Sequence, residues 1–137
     1  MNNSKFTLML SLRFESEDAI DFITDILGVL PTSYQTKGGT KFKFIQLGKN
    51  IWLFSKKYSN WDGSVSICVE DFLSNIPDYL QRIKIAQKYA KCFLRISVVS
   101  DWAQAGFFIE PKEIGRIYDL DIPVEISIFS WGNCVTE

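Results

Sequence analysis

The chain reads as a single α+β domain, residues 1–137, built as a largely antiparallel sheet with helices packed on it. Three observations predict this. Apolar residues alternate at period two in several separate stretches, other stretches repeat at helical spacing, and the connections between them are too short to separate domains. With 137 residues, 47% of them hydrophobic and 15% aromatic, there is material for one core. A chain of this size buries roughly two-thirds of its unfolded surface.

Phe6, Leu8, Leu10, Leu12 and Phe14 alternate with Thr7, Met9, Ser11 and Arg13, which predicts a first strand with one face on a core. Ser16 offers an N-cap, Glu17 and Asp18 put negative charge in a first turn, and Ile20, Ile23 and Leu27 share one helical face. A helix is therefore expected from Glu17 to Leu27, stopping at Gly28. After a breaker-rich connection, Lys41-Phe42-Lys43-Phe44 and Ile51-Trp52-Leu53-Phe54 flank the turn residues Leu47-Gly48-Lys49-Asn50, predicting a hairpin. Lys56 to Gly63 reads as polar turn, and Ser64 to Cys68 as a short extended piece. Pro77 interrupts the helical region Val69 to Lys91, so a short turn followed by a helix from Ile76 to Lys91 is expected, with Phe72, Ile76, Leu80 and Ile83 inward. Leu94, Ile96 and Val98 alternate again, and Gly106 to Ile109 follows as a short strand. Glu110-Pro111-Lys112-Glu113 opens a last helix whose apolar face is Ile114, Ile117 and Tyr118, and Val124, Ile126 and Ile128 make the final strand. The expected order is β-α-β-β-α-β-β-α-β.

Charge is distributed unevenly. Between Ile26 and Trp61 there are six lysines and no acid, so the remaining segments carry all 16 acids against nine bases, and the net charge of -1 conceals a two-signed chain. Such asymmetry speaks to partners rather than fold. No stretch approaches the ~20 apolar residues of a membrane span, and the N-terminus lacks the features of a signal peptide; a cytoplasmic location is expected. Cys68, Cys92 and Cys134 are odd in number and far apart, which fits free thiols.

The chain has no histidine, which removes the commonest general base, triad partner and metal ligand. Three scattered thiols make no zinc set, no glycine pattern makes a phosphate cradle, and Glu70-Asp71 and Asp119-Leu120-Asp121 read as helix-start and turn residues. No catalytic residue, metal site or cofactor is assigned, and a non-enzymatic protein is expected.

Several passages together resemble a bacterial family of small domains known as domain of unknown function 4279. They are the first strand ending in Arg13-Phe14, the phrase Ile26-Leu27-Gly28-Val29-Leu30-Pro31-Thr32, the stretch Ile51-Trp52-Leu53-Phe54-Ser55, and the closing block from Phe107-Phe108-Ile109-Glu110-Pro111 to Val124-Glu125-Ile126-Ser127-Ile128. The resemblance covers nearly the whole chain and rests on core and turn residues. It implies a stand-alone bacterial domain, some relatives being of the kind encoded beside toxin genes as immunity proteins, and it transfers no activity.

The functional expectation is a protein-binding domain, concretely an immunity protein that blocks a cognate toxin sterically and with charge complementarity. The residues assigned to that surface are Lys56, Lys57, Trp61, Asp62, Asp101 and Trp102, with the tryptophans of Trp61, Trp102 and Trp131 placed in turns or just past strands. The alternative is a nucleic-acid or anion-binding hairpin, residues 37–57, using Lys41, Lys43, Lys56 and Lys57 among interleaved aromatics. Against it stand the acidic remainder and the absence of arginine from the block. A third reading makes the lysines plain protection of a sheet edge, and it stands ahead of either specific site.

Overall fold

The computed structural model describes residues 6–38, 40–42, 45–46, 48–59, 64–102 and 107–133. Strand β1, Phe6–Ser16, lies in the middle of a five-stranded sheet. Its even-numbered residues Leu8, Leu10, Leu12 and Phe14 are completely buried, as the alternation requires. β5, Asn50–Ser59, pairs antiparallel with β1 on one side, and β6, Ala90–Trp102, pairs antiparallel with it on the other. β2, Ser33–Gln35, adds to the outer side of β5, and β7, Val124–Asn133, lies parallel to the outer side of β6. The sheet order is β2-β5-β1-β6-β7. The sheet is thus largely antiparallel as expected, with the single parallel pair β6–β7 making it mixed, because the segment between β6 and β7 is a helical crossover.

Helix α1, Ile20–Leu27, starts three residues later than its sequence signals. Ser16 remains in β1: its Oγ accepts the Asp18 amide and donates to the Tyr89 carbonyl, so it joins β1 to the α3–β6 turn instead of capping the helix. The stop is as expected. Gly28 closes α1 with φ 73°, and a Cβ there would lie 2.9 Å from Arg82 Nη1. That same nitrogen donates to the Ile26 carbonyl at 3.1 Å. Left-handed strain of about 1–2 kcal/mol and displacement of this guanidinium act together in Gly28→Ala. We expect a loss of about 1–2 kcal/mol in denaturant unfolding. In an Arg82→Ala background the same substitution should cost less, and equal costs in both backgrounds would dissociate the two residues.

Thr32 then fixes the chain against β5. Its amide and hydroxyl both donate to the Leu53 carbonyl, at 2.8 and 3.1 Å, and its Oγ1 accepts the Ser55 amide at 3.0 Å. The Gly28 to Thr32 phrase is therefore a helix stop followed by a strand clasp. The predicted hairpin is different in detail. β3, Thr40–Phe42, pairs with β4, Ile45–Gln46, as a separate two-stranded piece, whereas β5 joins the main sheet and continues to Ser59 through the residues read as a turn.

The helical region divides into α2, Ser66–Ser74, and α3, Tyr79–Ala86. Asp78 separates them at φ 49°, and the helix predicted to reach Lys91 ends four residues before β6 begins at Ala90. Ser66 starts a helix, so no extended piece runs to Cys68; only an isolated bridge joins Ser64 to Phe108 where the short strand was expected. Gly106 of that expectation lies outside the described residues. Helix α4, Pro111–Leu120, begins with Pro in its first turn as predicted.

All four helices among the described residues contribute to one core. Ile23 and Leu27 of α1, Val69, Phe72 and Leu73 of α2, Ile83 of α3 and Leu120 of α4 join Leu8, Leu10, Leu12, Phe14, Trp52, Phe54 and the inward residues of β6 in a single buried cluster. Cys68 and Cys92 are both buried within it, and burial pushes the Cys92 thiol well up. Cys134 lies outside the described residues.

Candidate functional site

Alternation along the strands assigns the even positions of β1 to the helices and the odd positions to the opposite face of the sheet. Across that second face run Met9, Ser11 and Arg13 of β1, Ile51, Leu53 and Lys57 of β5, and Phe93 and Arg95 of β6. Glu125 and Phe129 follow on β7. The core cluster lies entirely on the other face, so among the described residues no helix packs on this one. A groove of about 270 Å³ crosses it, lined by Ile51, Leu53 and Phe93 together with Arg95 and with Arg13, which stands between Leu53 and Phe93.

The polar groups of the groove are held by short local contacts. Ser11, only 6% exposed, hydrogen bonds through Oγ to Ser55 Oγ at 2.9 Å across the β1–β5 ladder. Arg95 is opposite Glu125, and its Nε and Nη2 both donate to Glu125 Oε1. Arg13 donates through Nη2 to Glu15 Oε1 at 3.3 Å, while its Nε has no partner among the described residues. A buried donor of this kind keeps an unmet demand for an acceptor. Counting the described strand positions, the face carries Arg13, Lys57, Lys91 and Arg95 against Glu15 and Glu125, four cations to two carboxylates.

The expected partner residues are split by this geometry. Lys56 and Lys57 are neighbours in β5 and so face opposite sides of the sheet. Lys57 is exposed on the open face. Lys56 lies on the helix side, where its Nζ donates to Asp71 Oδ2 of α2 at 2.6 Å, and Tyr58 Oη donates to the same oxygen at 2.6 Å. Lys37 likewise pairs with Glu17 at 2.8 Å. Acids from the remainder of the chain thus meet two lysines of the acid-free block. Trp61, Asp62 and Lys43 lie outside the described residues. Lys41 falls in β3, and Asp101 and Trp102 end β6; their backbones are described and their side chains are not. Trp102 and Trp131 belong to strands β6 and β7, not to turns.

Asp71 sits mid-helix in α2 and clasps β5 to it. Hydrogen bonds from Lys56 first and Tyr58 second hold its carboxyl below the usual carboxylate range. Burial first and the Asp71 contact second push the Tyr58 phenol well above its ordinary value. The depressed carboxyl contributes stability that is present above its unfolded pKa and is lost as pH falls through the folded one. The raised phenol contributes stability that is present below tyrosine's ordinary range and is lost as pH rises beyond it. Because the Lys56–Asp71 pair is nearly half exposed, Asp71→Asn should cost about 0.5–1 kcal/mol at neutral pH. It should also flatten the acid side of a Tm-against-pH curve; an acid limb as steep as the parent's would remove Asp71 from that role.

Arg13 and Arg95 were not singled out by sequence. The signal was present in the alternation: both occupy polar positions of strands whose other positions are apolar, and both are arginines outside the lysine block. Neither a cluster of metal-binding side chains nor a membrane-crossing helix is found among the described residues. A family model described as Domain of unknown function (DUF4279) matches residues 4–131. No curated protein and no solved structure matches the chain significantly.

Proposed function

Since the chain belongs to the DUF4279 family, which assigns it no chemistry, we propose from its geometry that it is a non-enzymatic protein-binding domain whose docking surface is the open sheet face. The observation that carries this reading is a sheet face on which no helix packs among the described residues, and where Ile51, Leu53 and Phe93 are set among Arg13, Lys57 and Arg95. Aromatic and arginine side chains together are enriched at protein interfaces. The surplus of positive charge selects a partner with an acidic patch, and it acts mainly on encounter rate and on exclusion of wrong partners. An immunity protein fits these properties, since blocking a toxin needs a rigid complementary surface and no catalytic group.

The anion-binding alternative has less to support it. Lys37 and Lys56 are engaged by Glu17 and Asp71, and Arg13, Arg95 and Arg116 each lie against a glutamate, so these cations are already met by carboxylates and are a poor match to a phosphate chain.

Co-expression with the product of the neighbouring gene tests the proposal. The expected result is a stable complex and restored growth where that product alone is toxic. Neither complex nor rescue would overturn it, and steeply salt-dependent binding of single-stranded nucleic acid would favour the alternative.

A further inference from the structure

The two edges of the sheet are unlike. β2 is three residues long, and short edge strands resist pairing. β7 is ten residues long, and β6 is its only sheet neighbour among the described residues. Between Val124 and Phe129 it has no lysine, no proline and no bulge in its pairing with β6, Glu125 being its one charge and the register shift lying beyond, at Ser130 to Asn133, so this stretch has few of the devices that blunt an edge. Its register places Val124, Ile126 and Ile128 beside Leu94, Ile96 and Val98 on the helix side. The β6 residues are buried, yet the β7 residues are 37%, 53% and 48% exposed.

Helix α4 leaves them bare because it packs against α2 and α3. Glu113 and Leu120 are its buried residues, and Arg116 reaches Glu70 of α2. Ile114 and Tyr118 each lie two positions from Arg116, about 160° around the helix, and so turn away from α2. They are 54% and 82% exposed, reversing their expected place on the buried face. Five apolar side chains on α4 and β7 are thus left on the outer side of the domain.

We propose that this edge is a homodimer interface in which β7 pairs antiparallel with β7 of a second copy, making one continuous sheet. The pattern is self-complementary. With Ser127 on the two-fold axis, Ile126 stands opposite Ile128 of the second copy, on the same face, and the two α4 helices lie on the same side. Charge permits it: Glu125 is the only ionisable side chain from Val124 to Phe129, it is already paired with Arg95, and in this register it meets Phe129 rather than its own counterpart. Size makes the association a weak one. With Ser127 on the axis the paired stretch runs from Val124 to Ser130, about 24 Å, and an edge two layers and about 20 Å deep presents roughly 480 Å² per partner, the size of a weak interface that forms at high concentration.

Sedimentation equilibrium of the full chain, from low to several hundred micromolar, tests this. The expected result is a concentration-dependent rise from 15.8 kDa to twice that mass. Ile126→Lys with Ile128→Lys should weaken the association by roughly 30-fold or more while leaving the circular dichroism unchanged. If that variant fails to fold, the wild-type chain still decides: amides of Val124 to Phe129 should exchange more slowly at high concentration than at low. A monomer throughout, or exchange independent of concentration, overturns the proposal. A dimer that survives both lysines and dissociates when Arg13 and Arg95 are changed to Gln also overturns it, by locating self-association on the open face.

Discussion

Trp52→Ala should lower stability by about 3–5 kcal/mol and the melting temperature by about 10–17 °C, the largest effect expected of any single truncation in this chain. Trp52 is 1% exposed. Its register puts it between Phe14 of β1 and Tyr34 of β2. Its ring meets Phe14 edge-on at 5.4 Å and stacks on Phe54 at 6.4 Å. The indole Nε1–H donates to Thr24 Oγ1 of α1 at 3.0 Å, so one side chain joins two strands and a helix. Removing it opens a cavity beneath α1 and leaves rings that the backbone cannot bring together to refill it. Domains of this size are stable by about 5–15 kcal/mol in total, so the loss is a large share. Trp52→Phe separates the two contributions. Thr24 keeps its bond to the Ile20 carbonyl, and the variant should lose only about 1–2 kcal/mol. Thermal melting by circular dichroism measures both, and a loss below about 1 kcal/mol in the alanine variant would be incompatible with this core.

What sequence made visible was the face an element buries, wherever a single period dominated. β1, the stop at Gly28, the start of α4 and the β6 pattern of Leu94, Ile96 and Val98 are each specified by side chains within a few residues. Strand direction is not specified this way. The parallel pairing of β7 depends on where a crossover helix lands, and alternation is the same in either direction. β5 was cut short because Lys56, Lys57 and Tyr58 look like a polar turn; only with Asp71 of α2 in place is a charge on the helix side of that strand satisfied. Val124, Ile126 and Ile128 have a correct buried-strand pattern, but periodicity reports which side is apolar and not whether anything covers it. Ile114 and Tyr118 pose the same difficulty on α4, where the buried turn is marked instead by Glu113, held in place by Arg116 at 3.4 Å. The open face was hidden for a related reason: its cations are scattered over three strands, whereas the lysine block is contiguous in sequence and divided in space.

Arg13→Gln, Lys57→Glu and Arg95→Gln together should weaken partner binding by about 100-fold, or about 2.8 kcal/mol. They take the described open face from a surplus of two positive charges to a surplus of two negative ones. Stability should change far less. Arg95 and Glu125 are each more than half exposed, and such a pair contributes at most about 1 kcal/mol. Lys57 is exposed on the same face. Arg13 lies between Leu53 and Phe93 in the ladder, and Gln preserves part of the aliphatic stem that covers them. A long-range electrostatic origin fixes how the loss must appear: chiefly as slower association, and as a flattening of the salt dependence seen with the parent chain. Isothermal titration and stopped-flow association at two salt concentrations, with the purified neighbouring-gene product, give both quantities. Loss of rescue with an unchanged melting temperature would place recognition on the open face. Unaltered affinity in the triple variant would remove the face from recognition, and the apolar strip of β7 and α4 would then be the next surface to test.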